Sequence, residues 1–226
     1  MTKKKIFDAR TLSVCGMLCA MAFALVTLSH YIMPAMIPAA PWLKYDPKDI
    51  ILAIGGLLLG PVPAFVMSLI VSLLEMLTYS ETGWIGLVMN VVSSCAFVLP
   101  ASILYNKKRD IKTAVSGLFC GVVLVTVVML LWNYLLTPLY MGTPREFVKS
   151  LLIPAFLPFN LIKGALNASF TFLIYKPLSR ALKSARLLPS EKEGASSGKI
   201  SVPVVAIALV TIAACAVVLF ILNGKI

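Results

Sequence analysis

Between Thr11 and Met33 the chain carries no Asp, Glu, Lys or Arg. A bilayer core about 30 Å thick is crossed by roughly 20 apolar residues of helix, so a run of this length reads as a membrane span. It is followed by further apolar runs at 48–60, 64–79, 84–105, 113–137, 150–176 and 202–222. With 60% hydrophobic and 13% charged residues in a chain of 226, little is left for a separate soluble domain. The expected fold is an all-α polytopic membrane protein.

Lys3, Lys4, Lys5 and Arg10 precede the first run in the manner of a signal peptide. The run is too long for one and lacks a small-residue cleavage site, so it reads as a retained helix. Residues 48–79 pose a choice between one long helix and two short ones broken at Gly60, Pro61 and Pro63. Each added span moves every later loop to the other side of the membrane, and cytoplasmic loops gather Lys and Arg. Only with the break do Lys3–Arg10, the cluster at Lys107, Lys108, Arg109 and Lys112, and the cluster from Lys176 to Lys199 lie together. The reading is therefore two helices and a cytoplasmic N-terminus, with Lys44, Lys48, Arg145 and Lys149 outside.

The net charge of +11 is accounted for by this topology, because the basic residues lie between apolar runs. Nucleic acid is not implied. Cys15, Cys19, Cys95, Cys120 and Cys215 all fall inside apolar runs, with no Cys-x-x-Cys pair, so neither disulfides nor a metal site is expected. A polar, Ser- and Gly-rich segment at 187–200 separates a six-helix body, residues 1–186, from an appended transmembrane helix at 201–226. The sequence shows no internal repeat, which argues against an inverted-repeat transporter.

Ionisable groups within spans are costly and mark function. Glu75 and Lys163 stand out, as near-interface groups, as partners of one another, or as site residues. In the run LLIPAFLPFNLIKGALNASF, Pro154 and Pro158 loosen the backbone just before Asn160, Lys163 and Asn167, which share one helical face. An amide presents a donor and an acceptor side by side, suited to the imide edge of a heterocycle, and lysine adds a cationic donor for a carbonyl oxygen. The same groups also serve as hydrogen-bonding glue between helices.

Asn133 lies in WNYLLTPLY among aromatics that suit a membrane interface. The proline-rich loop from Pro34 to Asp49 is long and apolar, as a flap over the outer mouth would be. Gly16, Ala20 and Ala24 form a small-residue stripe that permits close helix approach, to a partner or within the chain itself. GASSGKI at 194–200 is one residue short of a phosphate-binding loop and lacks its Ser or Thr. Lone His30 reads as a helix-end residue, no catalytic set is visible, and neither an enzyme nor a cofactor is expected.

Four strings, LKYDPKDI, GWIGLVMN, NYLLTPLY and PFNLIKG, taken in this order, carry a likeness over about residues 8–183. The sequence resembles the riboflavin-specific substrate-binding subunits, or S components, of energy-coupling factor importers. The resemblance implies a six-helix bundle with the vitamin held near the outer face beneath the first loop. It implies polar ring contacts from Asn133, Asn160 and Lys163, and a pocket lined by Leu43, Lys44, Tyr45 and Asp46 and by residues from Trp84 to Asn90. It also implies docking of Gly16, Ala20 and Ala24 on a transmembrane scaffold subunit driven by two ATPases. The helix beyond Lys199 departs from that pattern and places the C-terminus outside. Capture of thiamin or pantothenate, or stand-alone secondary transport coupled through Glu75 or Lys163, are the alternatives.

Overall fold

Lipid offers no partner for backbone N–H and C=O groups, so a spanning segment satisfies them within itself as a helix. The computed structural model describes residues 8–80, 82–188, 202–222 and 224. Its helices are α1 (Ala9–Ile32), α2 (Lys48–Leu59), α3 (Pro61–Thr78), α4 (Gly83–Lys107), α5 (Ile111–Met141), α6 (Arg145–Ser184) and α7 (Val202–Leu222). All but α2 are long and apolar enough to cross a membrane.

Local sequence sets the ends. Asp8 and Asp110 cap α1 and α5, their carboxylates accepting from the Thr11 and Thr113 N–H groups at 2.8 and 2.7 Å. Gly60 sits at φ 98°, a backbone that side-chain-bearing residues rarely adopt, and lets the chain reverse between α2 and α3. Pro61 and Pro63 then fall in the first turn of α3, where the missing N–H groups leave no bond unmade. The expected break at Gly60 is thus present, and α2 and α3 form an antiparallel pair.

Helices α5 and α6 outrun the apolar segments that announced them. Asp110 starts α5 ahead of 113, and α6 extends past 150–176 at both ends, taking in Arg145, Glu146 and Lys149 and then Arg180 and Lys183. Hydropathy marks the part of a helix that lipid surrounds, whereas capping and backbone hydrogen bonds decide where it stops.

Leu18, Leu52, Met67, Val98, Leu118 and Val125 meet in the main apolar cluster. Helix α2 lies at the centre, with every residue from Lys48 to Leu57 buried. The Ser102 hydroxyl donates to the Gly56 carbonyl at 2.7 Å, joining α2 to α4 deep in the bundle. Helices α4 and α5 approach closely along Gly117 and Gly121. A Cβ on Gly117 would stand 2.6 Å from Ala101 Cα, and one on Gly121 would collide with the Phe97 carbonyl. The Gly121→Val variant is therefore expected to separate the pair and lower stability by about 1–3 kcal/mol, read from unfolding in a denaturing-detergent titration.

Antiparallel packing divides the molecule into two ends. Arg10, the α4–α5 turn with Lys107, Lys108 and Arg109, and the α6 end with Lys176 and Arg180 lie at the end where α2 turns into α3. The loop between α1 and α2 closes the other end. It is pinned by an isolated antiparallel bridge between Ala35 and Lys44, with the Met36 N–H donating to the Leu43 carbonyl at 2.9 Å. The Ser29 hydroxyl donates to the Tyr45 carbonyl at 2.6 Å, so the loop lies folded against α1.

Candidate binding site beneath the first loop

Two prolines shape the entrance to the polar stretch of α6. Across Leu152–Phe156 the helix widens into a π turn, and the Leu157 N–H reaches the Leu152 carbonyl five residues back. Such turns free backbone groups and recur at functional sites. Here the Asn160 amide donates to the Phe156 carbonyl at 2.8 Å, which leaves its oxygen and second N–H for other partners. One and two turns further on, Lys163 and Asn167 follow on the same face, with Gly164 between them.

The first loop and the start of α2 lay a dense ionic cluster against this face. Lys163 Nζ stands 3.3 Å from Asp46 Oδ2 and 3.8 Å from Asp49 Oδ2. Lys48 Nζ contacts Asp46 Oδ2 at 2.9 Å and Glu75 Oε1 at 2.7 Å. The Asn90 amide donates to Glu75 Oε2 at 2.9 Å, and the Ser94 hydroxyl to Asp49 Oδ1 at 2.6 Å. Three carboxylates thus surround two ammonium groups, and Lys48 is only 1% exposed. Charges removed from water this far persist only when paired and hydrogen-bonded.

Two further bonds fasten the loop. The Tyr45 hydroxyl donates to Asn167 Oδ1 at 2.7 Å, and Asn167 Nδ2 donates to the Asp46 carbonyl at 3.3 Å. Burial raises the Asp46 carboxyl, yet Lys163 and Lys48 overcome that and hold it well below the usual carboxylate range. Burial, with Asp46, Asp49 and Cys215 nearby, pushes the Tyr45 hydroxyl well above its usual range. Asp46 is therefore a carboxylate and Tyr45 a neutral donor at neutral pH.

Asp49, Phe97, Val125, Asn160, Lys163, Gly164 and Asn167 line a cavity of about 10 Å³ beneath the loop. That is room for about one water molecule. A cavity of this size is too small for a ring, and two of its lining groups, Lys163 and Asn167, are bonded to the loop. The walls combine an aromatic and an aliphatic side chain with two amides, an ammonium and the Asp49 carboxylate.

The residues singled out in the sequence fall in different places. Asn160 and Lys163 line the cavity, Asp46 and Tyr45 bond to its Lys163 and Asn167, and Asn90 joins the ionic cluster through Glu75. Asn133 is buried but bonded along its own helix: its amide donates to the Met129 carbonyl at 2.6 Å, and its oxygen accepts from Thr137 at 2.9 Å. Leu43 packs in the apolar underside of the loop. Lys44 donates to the His30 carbonyl at 3.1 Å, and Trp84 is 71% exposed. The His30 ring stacks on Tyr79 with centroids 4.5 Å apart.

Lys48, which the topological reading put on the outer side with Lys44, opens α2 at the end closed by the first loop and is buried at the centre of the ionic cluster. Glu75 and Lys163 are linked through Lys48 and Asp46 rather than paired directly. Asp49 was not singled out as a site residue. The signal for both lay in the alternation Asp46, Lys48, Asp49 beside a proline, together with the need of Glu75 for a cation. On α1, Gly16, Ala20 and Ala24 are exposed while Val14, Cys15, Leu18, Cys19 and Ala22 are buried, so the small-residue stripe faces away from the bundle.

Residues 10–175 match the family model described as ECF transporter, substrate-specific component. Among curated relatives, riboflavin transporter RibU of Staphylococcus aureus (strain TCH60) is 29% identical over 74% of this chain and 89% of its own. Riboflavin transporter FmnP of Bacillus subtilis (strain 168) is 28% identical over 79% of this chain and 98% of its own. RibU of Streptococcus thermophilus (strain ATCC BAA-250 / LMG 18311) is 30% identical over 77% of this chain and 85% of its own. A solved structure described as the S component of a bacterial ECF transporter superposes with a TM-score of 0.63 at 28% identity, covering 77% of this chain and 98% of that one. With the family model spanning most of the chain and the helical body shared with a solved member, this protein belongs to the substrate-specific components of ECF transporters.

Proposed function

We propose that this chain captures riboflavin at the face closed by the first loop and releases it to the opposite side when coupled to a scaffold subunit and two ATPases. The observation that carries the reading is the convergence of Asn160, Lys163 and Asn167 on one small cavity beside Phe97 and Val125. With the loop raised, Lys163 gives up Asp46 and donates to a carbonyl oxygen of the isoalloxazine ring, while the Asn160 amide pairs with the adjacent imide edge. Phe97 and Val125 supply apolar contact for the ring. The relatives named as riboflavin transporters support this choice over thiamin or pantothenate. Asn133, Leu43, Lys44, Trp84 and Asn90 enter as neighbours of the ligand once the loop is displaced.

Positive-inside topology places the basic end in the cytoplasm and the loop outside, with the N-terminus cytoplasmic. The exposed stripe of Gly16, Ala20 and Ala24 is the surface offered to the scaffold, because small residues let a second helix approach closely. The chain then needs no ATPase site of its own. A second reading, ion-coupled transport by the chain alone, draws on the buried carboxylates Asp49 and Glu75 and the partly buried Asp46.

Uptake of labelled riboflavin into vesicles separates the two. Accumulation that requires the co-reconstituted scaffold and ATPases with ATP is the expected result. Accumulation driven by a proton gradient across vesicles holding this chain alone would contradict it.

A further inference from the structure

Helix α7 presents a regular stripe to the bundle. Val204, Val205, Ala208, Thr211, Ile212, Cys215 and Leu219 are buried or half-buried, at the three- and four-residue spacing of one helical face, and the positions between them are mostly exposed. Ala208 and Cys215 are the two buried residues of α7, and both are small enough for the helix to lie close against α6.

The upper part of that stripe reaches beyond α6. Cys215 shares a buried apolar cluster with Met36, Ile37 and Ala40 of the first loop and with Ala155 and Phe159 of α6. Leu219, Leu43 and Tyr45 pack against the same cluster. The loop is therefore held from two sides. Tyr45 and Asp46 are tied to Lys163 and Asn167, and the apolar residues Met36, Ile37 and Ala40 share a core with α7.

We propose that α7 is a brace for the first loop, with Cys215 and Leu219 as positioning residues that keep the loop closed and so slow exchange of the bound molecule. Neither residue touches the cavity, and both act through Met36, Ile37, Ala40 and Tyr45. A loop whose underside loses its apolar neighbours opens more often, because closed and open states differ by the contacts made only in the closed one. The effect on ligand exchange rests on riboflavin being the ligand; the effect on the loop does not.

The test uses the full chain in lipid nanodiscs, comparing wild type with Cys215→Trp, Leu219→Ala and the lipid-facing control Leu209→Ala. Amide hydrogen exchange across residues 34–47, measured without ligand, is expected to quicken at least about fivefold in the first two variants and to stay unchanged in the third. Riboflavin release, followed by the recovery of its fluorescence, is expected to quicken in parallel. If Cys215→Trp does not fold, Leu219→Ala decides the matter alone. Unchanged exchange across 34–47 in the folded variants overturns the brace, as does faster release without faster exchange. Faster exchange in a protein whose wild type holds no riboflavin upholds the brace and removes riboflavin as the ligand.

Discussion

Replacing Lys163 with methionine is expected to weaken riboflavin binding by about 10- to 150-fold, the equivalent of the 1.5–3 kcal/mol that a hydrogen bond to a charged group contributes. Methionine keeps much of the apolar stem and removes the ammonium, so the loss reports the polar contact more than the packing. Asn160→Ala is expected to cost about tenfold, the value of one neutral hydrogen bond made in a dry site. Fluorescence quenching on titration with riboflavin reads both. Unchanged affinity in Lys163→Met would remove the ring-contact role assigned to α6.

The largest loss of stability is expected at Lys48. This side chain sits between Asp46 and Glu75 at 2.9 and 2.7 Å, and its removal leaves the buried Glu75 carboxylate without a cation and Asp46 with Lys163 alone. Breaking a buried ion pair from one side typically costs about 3–5 kcal/mol, and Lys48→Met is expected to lose that much in a denaturing-detergent unfolding titration. Pairing it with Glu75→Gln removes the stranded charge and is expected to restore part of the loss. A cost below about 1 kcal/mol would place Lys48 in water, contrary to its burial. The two substitutions also differ in kind: Lys48 lies one layer behind the cavity wall, and its effect on riboflavin follows from the placement of Asp46.

Helix number and order were legible because a membrane span must be apolar over its whole circumference, which makes hydropathy an unusually direct signal. The break at Gly60 was legible for a different reason. Charge parity at Lys107–Lys112 required an additional reversal, and Gly60 with Pro61 supplied the chemistry for one. The ends of α6 were not legible, since Lys149 and Lys183 continue that helix past the lipid at either end.

In the site, the face of Asn160, Lys163 and Asn167 followed from helical spacing alone. The π turn at Leu152–Phe156 did not, although two prolines four residues apart announced some disturbance of the ladder. The burial of Lys48 was not legible because a lysine next to a loop is usually solvated, and only the three-dimensional meeting of α2 with α3 brings Glu75 to it. Trp84 illustrates the opposite case. Its string lies in α4 near the site, yet the indole points outward, since a neighbour in sequence on a helix lies about 100° around the axis.

The appended helix was legible as an element but not as a contact. Its composition is apolar all round, so no face announced itself, and the role of Cys215 and Leu219 emerges only from the loop they pack against. Its linker at 187–200 lies outside the described residues from 189 onward.

The most direct measurement is the visible absorption and fluorescence spectrum of the purified full-length protein, before and after titration with riboflavin. A flavin absorption band with quenched emission, or stoichiometric quenching of added riboflavin, is the predicted result. A colourless protein that leaves riboflavin fluorescence unchanged at every concentration would contradict riboflavin capture by this site.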